Sequence, residues 1–183
     1  MKMRALLLTL LCLALFPTTS RAQERGQVGL TMGYPTAAGL IWHPTSRIAV
    51  RGEITFSQTT SKVDLSLPNQ STEQTTRLLG IGGSLLWYFG SSEGNVRPYL
   101  SPRFIYNRAT SDDDDDEPMG TTTAGGAFGV QYTPSRRIGL FGEIGLSRTH
   151  TERTLTAFGI TGETSTTGWG TRSAVGVIFY FGG

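Results

Sequence analysis

Between Ile48 and Ser57 the chain alternates without a break: Ile48, Val50, Gly52, Ile54 and Phe56 fall on one side, and Ala49, Arg51, Glu53, Thr55 and Ser57 on the other. Successive side chains of a strand point to opposite faces, so this stretch has one face suited to hydrocarbon and one suited to water or ion partners. The pattern recurs with Ile138, Leu140, Ile144 and Leu146 against Arg137, Phe141, Glu143, Ser147 and Thr149. It recurs again with Trp169, Val175, Val177, Phe179 and Phe181 against Gly170, Arg172, Ala174 and Gly176. No stretch carries a helical period, and no apolar run is long enough for a spanning helix. The two-residue period predicts eight strands: Gln27 to Tyr34, Ala38 to His43, Ile48 to Ser57, Thr75 to Phe89, Val96 to Ala109, Thr121 to Tyr132, Arg137 to Thr149 and Thr166 to Phe181.

The links between these segments differ in length. After "PTA" comes a tight turn at "PTSR", a long excursion from Gln58 to Gln74 and a short turn at "GSSEGN". The acidic excursion Thr110 to Gly120, a tight turn at "TPSR" and a last excursion from His150 to Ser165 complete the series. Short links at one end and long ones at the other are the mark of an up-and-down barrel that crosses an outer membrane. A soluble lipocalin-like barrel has the same alternation with apolar residues inside, and periodicity alone does not separate the two. Two features favour the membrane form. Tyr34, Trp42, Phe56, Trp87, Phe89, Tyr106, Tyr132, Trp169 and Phe181 cluster towards the ends of the apolar faces, where amphipathic rings meet headgroups. The polar faces are rich in small residues, such as Gly29, Thr31, Gly33, Gly80, Gly82 and Ser84, which suits the narrow interior of eight strands.

The first residues read as a leader. Lys2 and Arg4 precede the apolar stretch Ala5 to Phe16, and Ser20 and Ala22 are placed for a signal peptidase, giving a signal peptide over 1–22 and one barrel domain over 23–183. The single cysteine, Cys12, lies within the leader, so a secreted mature chain has no disulfide to rely on. With Lys2, Arg4 and Arg21 removed, the 16 basic residues fall to 13 against 14 acidic ones. No basic face remains, which argues against a nucleic-acid partner.

Residues able to carry chemistry are few. The histidines are His43, at a turn beside Pro44, and His150, with Ser147 and Glu152 nearby. Ser147 and His150 are an odd number of residues apart and would point to opposite faces of a strand, so they are not expected to form a nucleophile and base. The run "SDDDDDEP", Ser111 to Pro118, holds six consecutive acids at 112–117 and must lie in water. It lacks the spaced ligands of a calcium loop, so at most a weak cation site is expected there. "GIGG", Gly80 to Gly83, has no following Lys and no helix to open, which argues against a phosphate cradle. No catalytic, cofactor or metal residue is therefore assigned. Arg51, Glu53, Arg103, Glu143 and Arg172 fall on inward positions near mid-strand, where they are expected to pair and close the lumen. The competing expectation is a narrow solute channel lined by these charges.

With its leader, eight amphipathic strands, alternating links and aromatic end "VGVIFYF", the chain resembles the small outer-membrane β-barrel proteins of Gram-negative bacteria, of the OmpX and OmpA-barrel type. The resemblance implies an all-β, eight-stranded antiparallel transmembrane barrel in the cell outer membrane, without enzyme activity. It implies a structural envelope or adhesin-like surface role and a monomer in contact with outer-membrane lipid and lipopolysaccharide. It further implies recognition of the last strand by the barrel-assembly machinery, with lipid-facing Phe181 mattering more than Tyr180 on the opposite face. The family usually ends on an aromatic residue, whereas here Gly182 and Gly183 follow Phe181.

Overall fold

The computed structural model describes residues 25–35, 37–64, 71–90, 94–111, 119–157 and 160–181. The signal peptide expected over 1–22, the acids at 112–117 and the two final glycines lie outside the described residues. Eight strands run in order: β1 (Val28–Tyr34), β2 (Ala37–Trp42), β3 (Ile48–Asp64), β4 (Ser71–Tyr88), β5 (Val96–Ser111), β6 (Met119–Ser135), β7 (Ile138–Ala157) and β8 (Ile160–Phe181). Each pairs antiparallel with its sequence neighbour, and β1 pairs with β8 to close the barrel. The seam runs from Val28 opposite Phe181 to Tyr34 opposite Val175, so the apolar end of the chain is the closing strand.

Sidedness follows the period-two reading. Trp42, Phe56, Ile81, Trp87, Ile144, Leu146 and Trp169 point outward and are exposed, while Arg51, Glu53, Gln131 and Glu143 are buried in the lumen. A lipocalin-like barrel needs the reverse. Trp42, Trp87, Tyr132 and Phe181 ring the short-turn end, and Tyr34, Phe56, Tyr106 and Trp169 sit towards the other. On β3 the outward apolar face runs from Ile48 to Phe56, close to the ~9–11 tilted residues that a strand needs to cross a bilayer.

The strands at the long-link end extend further than their periodicity suggests. The excursions Gln58 to Gln74 and His150 to Ser165 were expected to be loops, but β3 continues to Asp64, β4 begins at Ser71, and β7 and β8 run to Ala157 and from Ile160. The reason is chemical: from Gln58 to Ser61 and from His150 to Arg153 polar residues fall on both faces, with no apolar alternation. Threonine pairs join the ladder there instead, with hydroxyl separations of 3.3 Å for Thr60–Thr75 and 3.2 Å for Thr121–Thr151.

Candidate functional site

The inward charges read from the sequence meet in one network. Arg51 on β3 donates from Nη2 to Glu143 Oε1 on β7 at 2.6 Å, and its Nε lies 3.1 Å from both Ser84 Oγ and Glu53 Oε1. Arg103 on β5 pairs with Glu53 Oε2, and Tyr99 donates its hydroxyl to Glu143 Oε1 at 2.9 Å. Arg172 on β8 reaches Glu143 Oε2 at 3.5 Å. The Arg51 guanidinium also sits 5.1 Å from the centre of the Phe141 ring. Arg51, Glu53 and Glu143 have side chains only 3%, 5% and 1% exposed. Charges so enclosed are tolerated because each carboxylate faces two arginines.

A second layer fills the lumen on the short-turn side. Tyr88 donates to Gln131 Oε1 at 2.6 Å, and Gln131 Nε2 donates to the Tyr180 hydroxyl at 2.8 Å. His43 Nε2 lies 3.3 Å from that hydroxyl, and the His43 ring packs 5.7 Å from both tyrosine rings. Ile41, Ala49, Leu86, Tyr99 and Ile178 pack with the tyrosines into a small apolar core. Arg97 lies with its guanidinium carbon 4.4 Å from the Tyr88 ring centre and donates to the Ser46 carbonyl. Glycines opposite make room for these rings. A Cβ on Gly129 would overlap the Tyr99 ring, and one on Gly176 would overlap Phe141.

Ser147, His150 and Glu152 do not come together as a triad. His150 bonds Thr167 Oγ1 at 2.9 Å and Glu152 Oε1 at 3.2 Å on one face of β7, while Ser147 pairs with Gly125 and Gly170 and lies on the other face. "GIGG" lies within β4, where Gly80 leaves space for Asn107 and Gly82 for Ile105. The weak cation site considered for 112–117 lies outside the described residues, and among those described no cluster of three or more His, Cys, Asp or Glu could hold a metal. The layer built on Tyr88, Gln131, Tyr180 and His43 was not read from the sequence. Arg97, Tyr99, Ser101 and Arg103 share one phase, which marks Arg97 and Tyr99 as inward, but no local signal links them to Gln131.

No protein-family model matches the chain, and none of the curated proteins does. Among solved structures, the N-terminal β-barrel domain of Pseudomonas aeruginosa OprF is similar at 15% identity and a TM-score of 0.49, covering 87% of this chain and 100% of that one. A major outer membrane protein from Thermus thermophilus aligns at 13% identity and a TM-score of 0.45, covering 85% of this chain and 98% of its own. CarO from Acinetobacter baumannii does so at 11% and 0.39, covering 86% and 98%. The chain's own strand pairing establishes its class: it is an all-β protein, a closed, eight-stranded, antiparallel up-and-down barrel.

Proposed function

We propose that this protein is an integral barrel of the bacterial outer membrane, exported after loss of residues 1–22, with a closed lumen and a structural or adhesin-like surface role in the envelope. The observation that carries the reading is the pairing of sidedness with closure: large apolar side chains exposed all around the wall, and salt-bridged side chains across its inside. An apolar surface this extensive needs a cover, and lipid provides it without leaving a strand edge exposed. An eight-stranded interior is just wide enough for side chains to fill, and here they fill it with ion pairs and hydrogen bonds. On this reading the partners are outer-membrane lipid and lipopolysaccharide, with the assembly machinery engaged during biogenesis, and the barrel acts as a monomer.

Fractionation of expressing cells tests the location. The protein is expected in detergent-extracted outer membranes, with different gel migration before and after boiling. Recovery as a buffer-soluble protein with unchanged migration overturns the membrane reading. Planar-bilayer recording tests closure, because a steady, large unit conductance from the unmutated protein favours the channel instead.

A further inference from the structure

On the long-link side of the ion-paired layer, the lumen contains a cavity of about 280 Å³. Its charged lining is Arg51, Arg103, Arg172 and Glu53, and Leu78, Ile105 and Phe141 supply apolar walls. The volume lies just below the ~300–1,000 Å³ typical of small-molecule sites. Below it the lumen is crossed by the pairs already described, so the cavity is blind.

Three independent features give the cavity a preference. The first is charge: three arginines are opposed by Glu53 and by Glu143 beneath, leaving one positive charge in surplus. The second is unused donor capacity. Arg103 has a side chain only 9% exposed, yet its buried Nε makes no hydrogen bond, and Arg172 reaches its carboxylate only at 3.5 Å. A guanidinium carries five donors in a rigid fork and is always charged, so the unpaired Arg103 donor and the long Arg172 contact favour an anion. The carboxylate oxygens that lack a hydrogen bond, Glu53 Oε1 and Glu143 Oε2, each face an arginine and leave no place for a cation.

The third feature is access. β1 and β2 are 7 and 6 residues long, whereas the other strands have 16 to 22. Pairing of β1 with β8 stops at Tyr34 opposite Val175, and pairing of β2 with β3 stops at Ala38 opposite Ile54. Beyond those points β8 and β3 continue, with no described strand between them, so the wall is cut down on that side. Three strand spacings of ~4.8 Å separate β3 from β8, a gap of roughly 14 Å. Tyr34 and Pro35, at the tip of the short hairpin, form part of the cavity lining, so the notch opens onto it.

We propose that this cavity binds a small organic anion, a monocarboxylate or a phosphomonoester, with its charged group between Arg103 and Arg172 and its apolar part on Leu78, Ile105 and Phe141. The inference goes beyond the closed-lumen reading: binding needs the cavity and its arginines, and bilayer conductance tests closure separately.

The test is calorimetric titration of the refolded full chain in dodecyl maltoside with hexanoate, hexyl phosphate and inorganic phosphate. One of the two hexyl anions is expected to bind at a single site, and Arg172→Gln should weaken it at least about tenfold, the effect of losing one charged hydrogen bond. Arg172 is the variant of choice because its link to the network is the longest one, so the barrel should fold without it. Ile105→Trp, which fills the cavity and keeps every charge, should abolish binding while heat-modifiable migration persists. Failure of both hexyl anions to bind the parent, or equal binding by parent and Arg172→Gln, overturns the proposal. Inorganic phosphate binding as tightly as hexyl phosphate overturns the role given to the apolar wall.

Discussion

Arg51 and Glu143, 92 residues apart in sequence, meet at 2.6 Å from strands that stand opposite each other in the ring of eight. A pair on neighbouring strands would line the wall. One that joins opposite strands crosses the lumen, so water has no straight path past it.

Glu143→Gln should therefore destabilise the barrel, because Arg51 loses its ionic partner while remaining enclosed. The expected cost is about 2 kcal/mol, below the ~3–5 kcal/mol of a broken pair in dry protein, since the adjoining cavity admits water. Urea unfolding in detergent, in a double-mutant cycle with Arg51→Gln, measures it. A coupling energy near zero would show that the pair adds nothing to stability.

Tyr180→Phe removes one hydroxyl, which strands His43 Nε2 and leaves Gln131 Nε2 only its 3.3 Å bond to Thr133 Oγ1. The loss should be about 1–3 kcal/mol, the penalty of leaving a buried polar group unsatisfied. Phe181→Ser touches neither of these atoms. It should instead lower the amount of heat-modifiable barrel in isolated outer membranes, while Tyr180→Phe assembles normally and unfolds earlier. Equal assembly of Phe181→Ser and the parent would remove the terminal aromatic from any part in recognition.

Gly129→Ala places a methyl group within the Tyr99 ring, so the ring must tilt and its bond to Glu143 must lengthen. Overpacking of this sort typically costs about 1–3 kcal/mol. Gly142→Ala, where a Cβ meets nothing within 4 Å, is the matched control and should unfold like the parent.

Opening both layers should turn a closed barrel into a leaky one. Arg51→Ala with Tyr88→Ala removes the bridge across the ion network and the tyrosine that ties β4 to Gln131 on β6. Brief, small conductance steps are expected from the double variant in planar bilayers and not from the parent. A silent double variant would mean that neighbouring side chains close the space.

The face of each inward charge was legible in the sequence, and its partner was not. Arg51, Glu53, Arg103, Glu143 and Arg172 could be placed inside because the two-residue period assigns every residue to a face. Partner identity depends on register between strands, which a single strand does not encode; Arg51 on β3 and Glu143 on β7 are close only after every strand pairing from β3 round to β7 is set. Strand length failed for another reason. From Gln58 to Ser61, and again from His150 to Arg153, polar residues occupy both faces, so the alternation that marks a strand is missing although the ladder continues. His43 was hidden in the same way, since a turn residue beside Pro44 gives no sign that it packs between Tyr88 and Tyr180.

The seam between β1 and β8 is held by seven residue pairs, whereas β7 and β8 share twenty. Strand separation is local and its free energy rises with the number of paired residues, so the pairings around β1 and β2, with seven pairs to β8, six between them and five to β3, are the weak part of the ring. In native-state hydrogen exchange, the amides of Leu30 and Met32 should give up their protons well before those of Leu140 and Ile144. The β1–β2 hairpin would then swing out as a flap while six strands keep their pairing, which makes this hairpin the latch by which the barrel opens.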